Sequence, residues 1–397
     1  MWNTTNGQMS PAAESERSCE ERVLTVAIST SFTTSSSVTD GDDGIPYIHR
    51  VIVASYLCLV LTLGLLGNLL VMASIPLSKK LQTIMNILVV NLALADFLTC
   101  ASLPFMVIGL IETSGEYPLP GIVCSAVAGL SLICIAVSVS TLATIAIERW
   151  YVITKSVRGH RGIHSPGKLI IVVLVIWTAS TLVVVLPVLF GVGELGYSSY
   201  YSLCSVTDNT ALGSFYVILQ SAVVLIALII TGFFYTLIMV YVIRQNRILR
   251  QTFILHDVSV THTVEPELTS GISHSPKSSR EYTADSRSSV PSVSLGHSTI
   301  EVALNRREVE IAKNLFLVVC VFVICFLPSA VNFLIPGSSV FTLYGSVIAV
   351  TNSALNPVIY SLKHPNFQEV FKSVLRCRLS DISEPGKVLR SWNSTNR

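Results

Sequence analysis

Ile145-Ala146-Ile147-Glu148-Arg149-Trp150 closes a stretch without a charged residue that begins at Tyr117. A bilayer core needs about 20 apolar residues per helix, so this stretch can cross one. An acid and an arginine directly behind it cannot sit in hydrocarbon and therefore mark a membrane face. Four similar runs cover residues 51–78, 81–111, 169–193 and 209–243, with Asp96 the one charge inside them. A last run, 314–362, is too long for one span and is broken near Pro336-Gly337-Ser338-Ser339, so it reads as two helices joined by a tight turn. The pattern predicts an all-α membrane protein of seven spans. Composition agrees, since 51% of the residues are apolar and only 13% charged, about half the charged fraction of a soluble domain.

The short connections are asymmetric. Lys79 and Lys80, then Lys155, Arg158, Arg161 and Lys168, then Arg244, Arg247 and Arg250 fall on one side. Glu112, Glu116, Glu194 and Asp208 fall on the other, without lysine or arginine. Basic loops stay in the cytoplasm, so the expected topology is multi-pass, with the N-terminus outside and the C-terminus inside. The opening residues show no cleavable signal pattern, and the first helix is expected to act as its own insertion signal. Asn3-Thr4-Thr5 is then an external glycosylation acceptor, whereas the equivalent Asn393-Ser394-Thr395 lies inside and stays bare.

Three segments lack apolar periodicity. Residues 1–48 read as a disordered extracellular N-terminus, 251–303 as a disordered third cytoplasmic loop, and 378–397 as a cytoplasmic tail around a core of 49–377. The third loop is rich in Ser and Thr with scattered arginines, a composition that suits a kinase target or a plain linker. Phe367, Val370, Phe371, Val374 and Leu375 fall at i, i+3, i+4, i+7 and i+8, the mark of an amphipathic helix lying along the inner membrane surface. Cys377 beside it is a candidate for palmitoylation. Among nine cysteines, most lie inside spans as small apolar residues. Cys124 and Cys204 lie on the oxidising side, and a disulfide between them would pin the loop after the fourth helix over the bundle, with Cys19 left over.

Asp96 is the one ionisable side chain well inside a span, and none of the eight histidines lies in one. A lone buried carboxylate is costly and is usually functional. An intramembrane aspartyl protease needs two carboxylates, a zinc protease needs histidine ligands, and a proton-coupled transporter needs a relay of ionisable groups. One aspartate suits none of them. No enzyme activity is expected, nor a nucleic-acid partner.

Gly67-Asn68, Asn91-Leu92-Ala93-Leu94-Ala95-Asp96, Glu148-Arg149-Trp150, Trp177, Phe322 with Cys325-Phe326-Leu327-Pro328, and Asn356-Pro357-Val358-Ile359-Tyr360 follow one another on successive spans. In that order the chain resembles a rhodopsin-family (class A) G-protein-coupled receptor over about residues 50–377. The resemblance implies a plasma-membrane receptor that binds an extracellular ligand and activates heterotrimeric G proteins, with arrestin and receptor kinases as further partners. It implies a sodium pocket of Asp96, Ser138, Asn352, Ser353 and Asn356. It also implies a switch in which Arg149 pairs with Glu148 and Glu308 when closed, and turns to Tyr235, Tyr360 and the G protein when open. Val157 takes the place of an apolar residue that packs into the G protein. Pro328 and Pro357 interrupt their helices and create hinges. Departures from the family pattern are Phe326 for Trp, Ala227 for Pro, Trp150 for Tyr and Ser156 for Pro.

Ser131 stands where amine receptors place an aspartate, and Val350 where opsins place the retinal lysine. No cofactor is therefore expected apart from a structural Na+. The remaining pocket candidates are neutral: Ser131, Gln220, Phe326, Ser329, Asn332 and Ser346, with Tyr197, Tyr200 and Tyr201 above. Such a cleft suits a neutral or amphiphilic small molecule. A peptide contacting the acidic outer loops is the competing expectation. A non-signalling scavenger or scaffold of the same fold is the alternative function, and a channel or transporter a weaker one.

Overall fold

The structure, a computed structural model, describes residues 45–155, 165–207, 212–262, 316, 319–329 and 339–395. Among these residues seven helices form a bundle: α1 (Tyr47–Leu77), α2 (Asn86–Ile111), α3 (Gly121–Lys155), α4 (Pro166–Leu189), α5 (Gly213–His262), α6 (Val319–Ser329) and α7 (Ser339–Lys363). The first five are each apolar and long enough to cross a membrane by themselves. Further along the chain come α8 (Pro365–Leu375) and α9 (Lys387–Thr395).

Helix ends fall where local chemistry requires. Pro166 and Pro365 sit at helix starts, where a missing backbone N–H costs nothing. Pro118 and Pro120 delay α3 to Gly121, so the span read from Tyr117 begins slightly later. The N-terminal boundary shifts too: Ile45 is buried and α1 begins at Tyr47, inside the segment predicted to be disordered. At the other end of α5 the helix continues through residues 251–262, where the sequence predicts the disordered third loop to begin. No proline or glycine interrupts that stretch, so nothing local stops the helix. The rest of the loop lies outside the described residues.

Strands β1 (Glu194–Ser198) and β2 (Leu203–Thr207) form an antiparallel hairpin, with Tyr197 opposite Cys204. A disulfide joins Cys204 to Cys124 near the start of α3, as the sequence predicts, and pins the hairpin over one end of the bundle. Ser125 Oγ donates to Leu195 O at 2.6 Å, and Tyr197 OH to Gly109 O at 3.1 Å. The opposite, basic end carries Lys79, Lys80, Lys168 and Arg244.

The bundle interior holds Leu88, Leu92, Val139, Leu142, Ala227, Phe322 and Phe326 in one apolar cluster. Apolar side chains also cover the outside: Leu59, Leu63 and Leu66 on α1, and Ile171, Leu174 and Val175 on α4, are exposed. A belt of this kind needs lipid rather than water around it. Helices α1 and α7 approach closely at Gly67, where an added Cβ would lie 2.7 Å from Pro357 Cβ.

Candidate functional site: a polar core between an uncharged cavity and the basic end

Asp96 on α2 is fully buried. Its Oδ1 accepts a hydrogen bond from Ser138 Oγ at 3.0 Å, and its Oδ2 accepts one from Asn356 Nδ2 at 2.7 Å. Three helices thus meet at one carboxylate. Asn352, Ser353 and Asn356 are all buried on α7, and the Ser353 hydroxyl also reaches Asp96. The structure therefore brings Ser138, Ser353 and Asn356 onto Asp96, while Asn352 sits one turn above Asn356. Asn68 extends the network: its Nδ2 donates to Gly64 O at 2.9 Å and to Ser353 O at 2.8 Å.

The buried side-chain oxygens Asn68 Oδ1, Asn352 Oδ1 and Asn356 Oδ1 accept no hydrogen bond among the described residues. Buried acceptors are normally satisfied. Amide oxygens around one carboxylate form a donor set suited to a hard cation, so these residues fit the sodium ion that the sequence resemblance implies. A second polar cluster pins three helices: Trp177 Nε1 donates to Asn91 Oδ1 and Asn91 Nδ2 to Thr141 Oγ1, both at 2.8 Å.

Towards the hairpin end lies a cavity of about 270 Å³. Ser131, Gln220, Phe326, Ser329 and Ser346 all line it, as does Val350. Leu203, Cys204 and Ser205 of β2 roof it. No lining residue among those described carries a charge. The polar groups are partly engaged. Ser131 Oγ lies 2.9 Å from Ser102 Oγ, Gln220 Nε2 donates to Val183 O at 3.2 Å, and Ser329 Oγ to Gly345 O at 2.9 Å. Asn332 lies outside the described residues. The three loop tyrosines do not line this cavity. Tyr197 instead anchors the hairpin through Gly109 O and packs on Tyr117 at 5.5 Å, and Tyr200 packs on Tyr201 at 4.9 Å.

Phe326 connects the cavity to the bundle interior, because its ring lies 4.5 Å from Phe322 within the central apolar cluster. At the basic end Glu148 is buried, and the Arg149 charge acts on both Tyr235 and Tyr360, so the three residues share one neighbourhood. Tyr360 stacks on Phe367 of α8 at 5.6 Å. Trp150 wedges against Phe234 of α5 at 5.7 Å. At the family's usual proline, Ala227 leaves α5 unbroken, and Thr231 Oγ1 donates back to Ala227 O at 2.7 Å. Val157, Glu308 and Asn3 lie outside the described residues. Cys377 is an exposed free thiol.

Sequence reasoning passed over Ser102, Thr141 and the linking role of Asn68. The available signal was spacing: Thr99 and Ser102 follow Asp96 at successive helical turns, and Thr141 follows Ser138.

Residues 67–360 match the family described as 7 transmembrane receptor (rhodopsin family), and the chain belongs to it. Among curated relatives, the alpha-1A adrenergic receptor of Oryzias latipes is 26% identical over 344 residues, covering 83% of this chain and 67% of that receptor. The alpha-1D adrenergic receptor of Mus musculus is 28% identical over 363 residues, covering 82% of this chain and 57% of that receptor. The chain thus spans about 57% to 67% of the length of these relatives. The crystal structure of squid rhodopsin shares the fold with a TM-score of 0.64 at 18% identity, covering 88% of this chain and 93% of that one.

Proposed function

We propose that the chain is a plasma-membrane receptor that couples an extracellular ligand to heterotrimeric G proteins, with its N-terminus outside and its basic end in the cytoplasm. The observation that carries this reading is the uncharged roofed cavity at one end of the bundle, where the lining residue Phe326 packs on Phe322 of the central apolar cluster, with Arg149, Tyr235 and Tyr360 gathered at the other end. A ligand that favours one packing of Phe326 biases a bistable bundle, and a G protein reads the bias at the other end. Arrestin, receptor kinases and membrane lipid are the further partners of this reading.

The ligand is a neutral or amphiphilic small molecule. Relatives are named adrenergic receptors, yet this cavity offers no acid among its described lining, and Ser131 there is paired with Ser102. A cation desolvated in such a site would lack a counter-charge. Val350 supplies no amine for a Schiff base. Asp96, Ser138, Asn352, Ser353 and Asn356 would hold a Na+ ion, which would supply the positive charge that offsets the buried carboxylate. Those side chains keep α2, α3 and α7 together.

The test is nucleotide exchange on a panel of G-protein α subunits in membranes carrying wild type, Arg149→Ala or Glu308→Ala. Exchange that rises with Glu308→Ala and is lost with Arg149→Ala is expected. Equal exchange by wild type and Arg149→Ala, at equal surface expression, would overturn the coupling role.

A further inference from the structure

The segment after α8 folds back as a strap across the base of α1. Lys79 N donates to Glu384 O at 2.9 Å, and Gly386 N to Leu77 O at 2.8 Å, around a bridge between Ser78 and Pro385. Ile382 and Leu389 are buried against Val71, Leu81, Phe367 and Phe371, so the strap closes an apolar core between α1 and α8. Gly386 fits directly on the α1 backbone, where an added methyl group would run into the Pro76 carbonyl oxygen.

One polar clasp fastens this strap. Glu369 Oε1 on α8 accepts from Ser383 Oγ at 2.6 Å and from Ser383 N at 3.0 Å. Lys80 completes the clasp, donating to Ser383 Oγ at 2.5 Å and to Glu369 Oε2 at 3.1 Å. The serine hydroxyl is thus the point where loop, α8 and tail meet, and its side chain is exposed.

We propose that Ser383 is a phosphorylation site and that its phosphorylation releases the strap from α1 and α8. In the reaction Ser383 Oγ attacks the γ-phosphorus of a nucleoside triphosphate. The new O–P bond replaces the bond to the nucleoside diphosphate, which leaves, and the hydroxyl proton passes to the kinase. That proton is the one donated to Glu369. A phosphoserine carries a charge of about −1.5 to −2 and only acceptor oxygens there. In the clasp Glu369 and Lys80 balance; afterwards the one lysine in contact faces a carboxylate and a phosphate, with Asp381, Glu384 and Lys387 flanking in sequence. Repulsion and the lost donor therefore outweigh the attraction of Lys80. Since the docked hydroxyl is engaged, the kinase acts on the transiently open strap, and the phosphate keeps it open. Release uncovers the apolar face formed by Phe367, Val370 and Phe371.

The site rests on the reading that the basic end is cytoplasmic. The experiment uses the full chain in lipid nanodiscs, with serine or phosphoserine incorporated at position 383 and hydrogen exchange followed at Lys79 and Gly386. Phosphoserine should speed exchange at both amides roughly tenfold or more, the equivalent of losing one charge-assisted hydrogen bond. Gly386→Ala should give the same signature without any charge. Unchanged or slower exchange with phosphoserine overturns the release mechanism, and unchanged exchange in Gly386→Ala overturns the docked strap. Phosphopeptide mapping of the chain from cells treated with phosphatase inhibitor should find phosphate on Ser383. A tag fused after Arg397 should be detected only after permeabilisation. Detection on intact cells refutes the orientation reading, and a hidden tag with no phosphate at Ser383 refutes the site itself.

Discussion

Asp96→Asn tests the polar core because its two energetic consequences have opposite signs. In the wild type both carboxylate oxygens accept: Oδ1 from Ser138 and Oδ2 from Asn356. An asparagine keeps one acceptor for Asn356 Nδ2 and turns the other into a donor, so Ser138 must turn its hydroxyl to accept and both bonds lose their charge assistance, at about 1–3 kcal/mol in all. Against this, the variant no longer buries a carboxylate at 0% exposure, a penalty of several kcal/mol for an ion without a full counter-charge. In sodium-free buffer the variant should therefore be as stable as wild type or more so. Sodium should shift the balance towards wild type. At free Na+ ten times its dissociation constant, binding stabilises wild type by about 1.4 kcal/mol, a rise of roughly 3–6 °C if larger domains shift 2–4 °C per kcal/mol. The assay is thermal unfolding in nanodiscs, with NaCl exchanged for N-methylglucamine chloride at constant ionic strength. A sodium-dependent shift that persists in Asp96→Asn would refute the site. So would a variant less stable than wild type by more than 3 kcal/mol without sodium, since only a purely structural carboxylate should cost that much.

The other perturbations probe separate parts of the molecule. Cys124→Ser with Cys204→Ser opens a ring of 80-residue separation, for which chain entropy gives a ceiling of about 4.5 kcal/mol, reduced because the helices stay inserted; reductant should lower the unfolding midpoint of wild type but not of the double variant. Trp177→Phe leaves Asn91 Oδ1 without its 2.8 Å donor and should destabilise by about 1–3 kcal/mol. Thr141→Val should be non-additive with it in a double-mutant cycle, because both contact Asn91. The Glu369 carboxyl is held at about 2, chiefly by the Ser383 hydroxyl and N–H, with Lys80 adding to them. A depressed carboxylate stabilises fully above its unfolded value, here 4.5, and loses that contribution as pH falls through about 2. A fluorophore on Ser391→Cys should therefore report a docked strap above pH 4.5 that loosens progressively as pH falls from 4.5 towards 2, and Glu369→Gln should abolish that pH dependence.

Much of the fold was legible because a bilayer converts sequence directly into helices: each charge-free run had to become a span. Some boundaries moved where short-range chemistry intervened, as at Pro118 and Pro120 before α3, or where no breaker stopped α5 before His262. The polar core was partly legible, since a carboxylate in an apolar run announces itself. Its partners did not announce themselves in the same way. Asn356 lies 260 positions from Asp96, and only the packing of α7 beside α2 decides that they meet. The strap was not legible at all, and the reason is instructive. Ile382, and Leu389 with only Val388 and Trp392 near it, lie in a polar tail with too few apolar residues to show a sustained helical or strand period. They find a core because α8 presents Phe367, Val370 and Phe371 to the base of α1 rather than only to lipid. The amphipathic face read from 367–375 was correct as a pattern, but its occupant is the chain's own tail, while Leu375 stays exposed. A periodic apolar face thus reveals that something covers it; what covers it is fixed by chain connectivity and by a few specific hydrogen bonds, here those of Lys80, Glu369 and Ser383.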